Sequence, residues 1–384
     1  MKKGILILLI SFSVFSCVEE YWPDVLPKYD NALVVDGEIT SLPGPYIIRL
    51  SLSSNVGNPS FRPFGDCEVI ILEEDGEREV LVEESEGVYT TTEGGIQGQA
   101  GNSYKMKITT KKGVIYESDF VKMASPTIID TITTEIEYQA HPDYNRDMQG
   151  YRFYVNTQSS DSLINYYLWV LRPTYKFNAN YRIKYYFDGQ MHRFPNPDSL
   201  YTCYKTFREQ DIFILNTSNL NSSEILKFPL NYVTTETKEL SIRYSLLVNQ
   251  YSISEDAFQF WENIRSLNDE QGSLHSRLPF QIKGNVYNLE DPNEPVLGYF
   301  TVGGVSTRRL YIDRPLGLKW YYEDSCNLYA VDNEILWTKR FQWPLFLPGV
   351  IGGSSEGPAW VDYQWCVDCT KLAGDLAKPE FWED

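Results

Sequence analysis

Histidine is scarce in this chain, and its placement argues against a catalytic metal site. The three histidines, His141, His192 and His275, lie far apart, and none belongs to an H-E-x-x-H or other paired spacing. The glycine-rich signatures of phosphate binding, the P-loop and the G-x-G-x-x-G turn, are also missing. The sequence therefore predicts no metal, nucleotide or other cofactor.

Basic clusters and long apolar runs are missing as well. The formal net charge is −18, from 34 Lys and Arg against 52 Asp and Glu. A nucleic-acid backbone would repel such a chain, so nucleic acid is not an expected partner. Beyond the N-terminus, no apolar run reaches the roughly 18 residues that cross a bilayer, so no further membrane segment is expected.

The composition that remains is typical of a folded protein with much β-structure. Apolar residues make up 42% of the chain and charged residues 22%, without a low-complexity tract. Aromatic residues reach 15% and include 28 tyrosines, which favours strands over helices. The length allows two or three domains at about 150 residues each.

The N-terminus has the organisation of an export signal that ends in a lipidation site. Lys2 and Lys3 precede a short apolar run, and Val14-Phe15-Ser16-Cys17 resembles a bacterial lipobox. An aliphatic residue stands three positions before the cysteine and a small residue directly before it. The run is too short to span a bilayer. We predict a signal peptide over 1–16 and acylation of Cys17, and the alternative is an ordinary signal peptide with a chance cysteine.

The residues after Cys17 carry information about location. Glu19 and Glu20 resemble the acidic sorting signal that Bacteroidota surface lipoproteins carry beside the lipidated cysteine. Residues 17–28 contain Pro23 and Pro27 and are predicted to form an extended, lipidated linker. We therefore expect an outer-membrane protein that faces the cell exterior. The alternative is that the two glutamates belong to a solvated spacer.

Short alternating strands begin near residue 32. In the segment around residue 50, Tyr46, Ile48 and Leu50 alternate with Arg49 and Ser51, which is the pattern of a half-buried strand. Turn signals follow at 75–76 and 112–113, and strands recur about every ten residues. This spacing predicts a mainly β protein whose residues 29–125 form an immunoglobulin-like β-sandwich.

Residues 126–384 are predicted to form a larger β-rich domain with one amphipathic helix. The helix is indicated by apolar residues at spacings of three and four, namely Ala257, Phe258, Trp261, Ile264 and Leu267. Ser252 and Glu255 have the spacing of a capping box at its start, and the helix is expected to end before Gly272. The clearest strands are expected within 151–155, 166–171, 182–187, 212–215 and 240–251.

Five cysteines follow Cys17, and export makes disulfides the default expectation for them. They are Cys67, Cys203, Cys326, Cys366 and Cys369. Because five is odd, at least one stays unpaired within the chain. We predict that Cys326 pairs with Cys366 or Cys369 and that Cys203 takes the other. A four-thiolate zinc site is the alternative, although such sites usually show two close ligand pairs and this chain has one.

Two short motifs resemble enzyme signatures but lack the required surroundings. Residues 353–357 match the G-x-S-x-G nucleophile elbow, yet Pro358 follows at once and the last histidine lies far upstream. Residues 365–369 echo the W-C-x-x-C of thioredoxin-like enzymes, yet too little chain follows Cys369 for that fold. We therefore expect a protein that is not an enzyme, with a surface hydrolase as the less favoured alternative.

Several motifs resemble one family across the whole mature chain. They are the run from Ile253 through Trp261, Gly284-Asn285-Val286, Val296-Leu297-Gly298-Tyr299-Phe300, the tail Cys366-Val367-Asp368-Cys369, and Lys378-Pro379-Glu380-Phe381-Trp382. The chain is similar in these to a Bacteroidota outer-membrane lipoprotein family of the domain-of-unknown-function 4249 type. The resemblance implies an accessory lipoprotein that docks on a TonB-dependent outer-membrane receptor. It implies no catalytic residues.

The functional expectation combines the anchor with this resemblance. We expect a surface-exposed outer-membrane lipoprotein that is a non-enzymatic accessory or binding subunit of a TonB-dependent transporter. Its partner would be an outer-membrane β-barrel, most simply the TonB-dependent receptor itself. The main alternative is a structural subunit of an outer-membrane protein assembly or export complex, which would use the same anchor.

Overall fold

The computed structural model describes residues 31–54, 60–158, 165–219, 224–270, 282–322, 326–352 and 355–383. The predicted signal peptide over 1–16 and linker over 17–28, with Cys17, Glu19 and Glu20, lie outside this part. Over the described ranges, no helix combines the length and the apolar character needed to cross a membrane.

The described residues are mainly β-structure, as the alternating patterns predict. The strands in chain order are β1 (Leu33–Thr40), β2 (Ile47–Leu52), β3 (Glu68–Glu73), β4 (Arg78–Val80), β5 (Val82–Ser85), β6 (Val88–Thr90), β7 (Ser103–Thr109), β8 (Ile115–Ser118), β9 (Val121–Lys122), β10 (Ile129–Ala140), β11 (Asp147–Gln158), β12 (Tyr166–Asn178), β13 (Ile183–Phe187), β14 (Met191–Arg193), β15 (Thr202–Thr206), β16 (Phe213–Asn216), β17 (Glu224–Thr234), β18 (Arg243–Ser252), β19 (Val286–Asn288), β20 (Val296–Asp313), β21 (Leu328–Ala330), β22 (Leu345–Gly352) and β23 (Ser355–Val361). The α-helices are α1 (Glu255–Glu270) and α2 (Asn333–Thr338), and short 3-10 helices span Arg340–Gln342, Gln364–Cys366 and Cys369–Leu372.

Within the described ranges these strands form four sheets. The largest has nine strands in the order β15-β12-β18-β20-β1-β2-β6-β5, and β16 also pairs with β12. A six-stranded sheet runs β19-β8-β7-β3-β4 with β9 beside β7, a five-stranded sheet runs β14-β13-β22-β23-β21, and a three-stranded sheet runs β10-β11-β17. In the nine-stranded sheet, β1 and β20 pair in parallel and the other neighbours are antiparallel.

Strand β20 shows how the two faces of the nine-stranded sheet are used. Successive side chains of a strand point to opposite faces. Phe300 and Val302 belong to a first apolar core, and Leu310 packs against a second core. Tyr299 and Val305 point the other way and pack with α1. Both cores therefore lie on one face of the sheet, and α1 lies on the opposite face.

The first core is the predicted β-sandwich. Ile48 and Leu50 from the nine-stranded sheet and Ile71 and Met106 from the six-stranded sheet are all fully buried in it. Residues 29–125 do not complete these sheets alone, because β20 pairs along the whole of β1 and β19 pairs with β8. The sandwich predicted from local alternation is thus closed by strands that lie far along the chain.

The second core lies between the other half of the nine-stranded sheet and the three-stranded sheet. Trp169 is buried there with its ring centroid 4.3 Å from that of Phe228. The indole Nε1 of Trp169 donates to Oε1 of Gln250 at 2.9 Å, so this large polar aromatic is buried with its N–H satisfied. Phe153 and Tyr244 fill the space beside it.

The predicted helix is present as α1, but its first turn differs from the expectation. Ser252 does not cap it, because the chain remains extended to that residue and the Ser252 hydroxyl lies 3.1 Å from that of Thr127. Ser254 caps the helix instead, because its hydroxyl oxygen accepts a hydrogen bond from the amide of Ala257 at 3.2 Å. The described residues also include the six-residue α2, which is too short for a periodic signal.

The prediction of long-range disulfides at the C-terminal tail is confirmed. Cys203 pairs with Cys369, and Cys326 pairs with Cys366, across sequence separations of 166 and 40 residues. Both bonds are buried, the first in the second core and the other beside the five-stranded sheet. Cys67 is free and half-buried.

Glu239, just before β18, is an unfavourably placed carboxylate. Burial, and next the negative charge of Glu209, raise the pKa of Glu239 to about 7. The folded protein therefore binds more protons than the unfolded chain between about pH 4.5 and pH 7. It follows that the contribution of Glu239 to stability is most favourable at low pH and is lost as the pH rises through about 7.

Replacing Glu239 by Gln should remove this dependence on pH. We expect Glu239→Gln to stabilise the protein by about 2 kcal/mol at pH 8, and by almost nothing at pH 4.5, because only the ionised carboxylate is penalised. Thermal unfolding at the two pH values measures this. Glu93→Gln, on an exposed turn, makes the same charge change and is the control. An equal gain at both pH values would contradict the assignment.

Candidate functional site

A cleft lies on the face of the nine-stranded sheet that α1 partly covers. It has a volume of about 700 Å³, and its side chains come from β1, β2, β12, β18, β20 and α1. A second hollow of about 420 Å³ adjoins it and shares Leu168, Arg208 and Trp261 among its lining residues. These volumes fall within or near the roughly 300–1,000 Å³ that small-molecule sites occupy.

One side of the cleft is apolar, and strand alternation explains why. Along β12, Trp169 and Leu171 point into the second core, so Leu168 and Val170 point into the cleft. From α1, one face of the helix contributes Phe260, Trp261 and Ile264 to the wall. The indole Nε1 of Trp261 is buried and has no hydrogen-bond partner within the part of the chain that the structure describes.

The centre of the cleft is polar. Asn249 of β18 lies opposite Thr307 of β20, and both line the cleft. Burial raises the pKa of the Glu38 carboxyl, while a hydrogen bond with Tyr251 and the positive charge of Arg208 oppose that rise. Burial, followed by the Glu38 charge, raises the pKa of the Tyr251 phenol, which therefore stays protonated and donates to the Glu38 carboxyl.

Two arginines stand side by side at the β12 edge of the cleft. The amide of Phe207 donates to the carbonyl of Pro173 at 3.1 Å. The amide of Glu209 donates to the carbonyl of Leu171 at 3.0 Å. These bonds continue the antiparallel register of β15 with β12, so Arg208 lies directly opposite Arg172. Both are exposed and both line the cleft.

A glycine sets the backbone path where the cleft crosses from β20 to β1. Gly298 has φ of +81°, and a Cβ built on it would lie 1.9 Å from the carbonyl oxygen of Val35. Any other residue would clash with β1 and strain the backbone. The parallel pairing that carries Glu38 and Tyr299 into the cleft therefore depends on this position.

Of the site residues predicted from sequence, those that the structure describes do not line the cleft. Cys17, Glu19 and Glu20 lie outside the described residues. Cys203, Cys326, Cys366 and Cys369 are not among the residues that line the cleft. Their sulfurs are used in disulfide bonds, so they do not form the zinc site that was the alternative.

The two enzyme-like motifs have ordinary structural roles. Residues 353 and 354 of the first motif lie outside the described residues, and Ser355, at the position of the nucleophile, is the first residue of β23 and pairs with Gly352 of β22. In a nucleophile elbow the serine leads into a helix, whereas Ser355 leads into a strand. Cys366 and Cys369 belong to two different disulfides. No group of three or more His, Cys, Asp or Glu side chains is arranged to hold a metal ion in the described ranges.

Sequence reasoning missed the cleft, although part of the signal was present. The run Leu168, Val170, Arg172 alternates with Trp169 and Leu171, and an arginine following apolar residues on one strand face marks the rim of a partly exposed surface. Its neighbours come from strands that the sequence does not identify as partners. Only the register of β12 with the segment after β15 brings Arg208 beside Arg172.

The comparison with protein families places these residues in a known group. The model of the family described as Domain of unknown function (DUF4249) matches residues 18–309. The chain belongs to the DUF4249 family. Every residue that lines the cleft, from Val34 to Thr307, falls within the part that defines DUF4249. A search of curated proteins gives no match.

Proposed function

We propose that this DUF4249 protein is a lipid-anchored outer-membrane protein that faces the cell exterior and binds a ligand as a non-enzymatic subunit of a TonB-dependent transporter. The cleft is the observation that carries the proposal. It joins an apolar wall to a small number of convergent polar groups, which is the usual composition of a ligand site. The cleft also lies within the family-defining residues.

The proposed anchor explains how such a protein would stay with its partner. At about 0.8 kcal/mol per buried methylene, two long acyl chains on Cys17 would give roughly 20 kcal/mol of gross transfer free energy. A tether of this strength confines the protein to the membrane surface and raises its effective concentration toward a membrane partner. The linker over 17–28 would let the folded part reach over the extracellular mouth of a β-barrel.

Purification from native membranes tests the proposed partnership. We expect the tagged full-length protein, extracted in mild detergent, to bring with it a stoichiometric outer-membrane β-barrel of the TonB-dependent receptor class. A specific interface of this kind should bury at least about 1,000 Å² and survive washing. Recovery of an assembly or export barrel instead would favour the alternative role, and repeated recovery of no barrel would contradict both.

The acidic pair beside the lipid gives a separate prediction about location. Replacing Glu19 and Glu20 together by Ala should keep the protein lipidated but reduce its accessibility to protease added to whole cells, because the proposed export signal is lost. Immunoblotting after brief proteolysis measures this. Glu93→Ala with Glu383→Ala makes the same charge change on exposed sites and should leave accessibility unchanged. Unchanged accessibility of the first variant would remove the sorting role.

A further inference from the structure

The arginine pair at the rim of the cleft is unusual for its surroundings. The chain carries a net charge of −18, yet two of its cations lie directly opposite each other here. Arg49, also on the rim, lies 3.8 Å from Asp36. Arg172 and Arg208 make no ion pair with any residue that the structure describes. The charge of Glu38 at the centre of the cleft interacts with both guanidinium groups but forms no ion pair with either, so one carboxyl group faces two cations.

The register makes this arrangement costly for the protein alone. Arg172 and Arg208 form a pair that does not exchange backbone hydrogen bonds, and side chains approach most closely in such pairs. Like charges placed directly opposite each other destabilise an antiparallel pair of strands. A bound anion would relieve this repulsion, because two guanidinium groups offer many N–H donors to one carboxylate.

The apolar side of the cleft indicates what is attached to that anion. Leu168 and Val170 continue directly from Arg172 along the same face of β12, and Trp261 and Ile264 face them from α1. A ligand whose anionic head lies at the arginine pair would therefore place its body against apolar and aromatic side chains. The volume of about 700 Å³ admits a body of several rings or a chain of similar bulk.

We infer that the cleft binds an amphipathic organic carboxylate, with its head between Arg172 and Arg208 and its apolar body against the α1 wall. This inference rests on the proposed function, in that it takes the cleft as the ligand site. It adds the chemical class of the ligand and the residues that recognise it. Ligand binding does not depend on which β-barrel is the partner, so the inference about the ligand and the proposed partnership can fail independently.

Two probes that differ only in charge test the inference. Naphthalene-1-acetate and its neutral amide, naphthalene-1-acetamide, share one apolar body. Isothermal titration calorimetry would use the full-length protein in lipid nanodiscs, with empty nanodiscs as the blank. We expect the acid to bind about tenfold more tightly than the amide, since hydrogen bonds to a charged group exceed neutral ones by about this factor.

Arginine variants locate the binding of the acid. In the double variant Arg172→Gln with Arg208→Gln, we expect the acid to bind no more tightly than the amide. The affinity for the amide should stay unchanged. The control is Arg78→Gln with Arg340→Gln, which removes two exposed arginines away from the cleft and should keep the preference. Thermal unfolding verifies the fold, and Arg208→Gln alone should leave the melting temperature equal or higher because it removes a like-charge contact.

The titrations test the binding residues and the ligand class separately. A preference for the acid that survives in the cleft variant would overturn the assignment of Arg172 and Arg208. Equal binding of acid and amide to the wild-type protein, or no binding of either, would overturn the inference about ligand class. The proposed partnership would still be decided by co-purification of the barrel, which involves neither probe.

Discussion

Replacing Cys203 and Cys369 together by Ser should lower the free energy of unfolding by about 5 kcal/mol, the value that the chain-entropy model gives for a loop of this length. The bond closes a sequence separation of 166 residues and ties β15, at the edge of the nine-stranded sheet, to the C-terminal 3-10 helix. Both cysteines are fully buried. Without the bond, the edge strand and the tail would be held mainly by their local contacts, such as the 3.0 Å bond from the amide of Cys369 to the carbonyl of Leu200.

Denaturant unfolding without reductant measures this loss. Cys67→Ser provides the matched control, because Cys67 is free and should change stability by less than about 1 kcal/mol. Cys326→Ser with Cys366→Ser removes the bond that closes the shorter loop and should lower the free energy of unfolding by about 4 kcal/mol. Adding reductant should bring the wild-type protein close to the variants. A loss no greater than that of Cys67→Ser would contradict a stabilising role for the long-range bond.

Replacing Cys17 by Ala should have the largest effect on location, with nearly complete loss of the protein from the outer-membrane fraction. The variant has no thiol to acylate, so the roughly 20 kcal/mol of gross transfer free energy from two acyl chains is lost. Metabolic labelling with palmitate and fractionation of outer membranes measure lipidation and location together. Cys67→Ala should remain labelled and retained.

Two outcomes of the Cys17 experiment would contradict the lipid anchor. Retention of Cys17→Ala in the outer-membrane fraction to the wild-type extent would show that another feature holds the protein there. Absence of palmitate label from the wild-type protein would favour the alternative of an ordinary signal peptide with a chance cysteine.

The elements of this fold are largely predictable because burial alternates along the strands. Tyr104, Met106 and Ile108 are fully buried on one face of β7, as their spacing predicts, and the helical period of 257–267 lies within α1. The six-residue α2 has too few turns to show a period. Local pattern thus finds elements that are long enough to repeat it.

The partners of the strands could not be predicted in the same way. Alternation tells which face of β1 is buried but does not specify that β20, more than 250 residues later, lies parallel to it. Gly298 marks the close approach in the structure, yet a single glycine in a strand has several explanations. The disulfide pairs were predictable only as two alternatives, because cysteine spacing limits connectivity without fixing it.

The cleft depends on these partnerships, and for that reason it is invisible in the sequence. Its polar centre combines Glu38 of β1 with Tyr251 of β18, and its rim combines Arg172 with Arg208 from the segment after β15. Each residue alone reads as an ordinary strand or loop position. These residues can be recognised as one site only when the pairing of their strands is known.

Cross-linking on intact cells, with an amine-reactive reagent that does not cross membranes, tests most directly the proposal that the protein works at the cell surface beside a β-barrel. Mass spectrometry of the tagged protein would identify the linked peptides. We predict links between lysines of this chain and extracellular loops of a TonB-dependent receptor, and their loss in Cys17→Ala. Links that form only with a membrane-permeant reagent, or none to any β-barrel, would contradict the proposal.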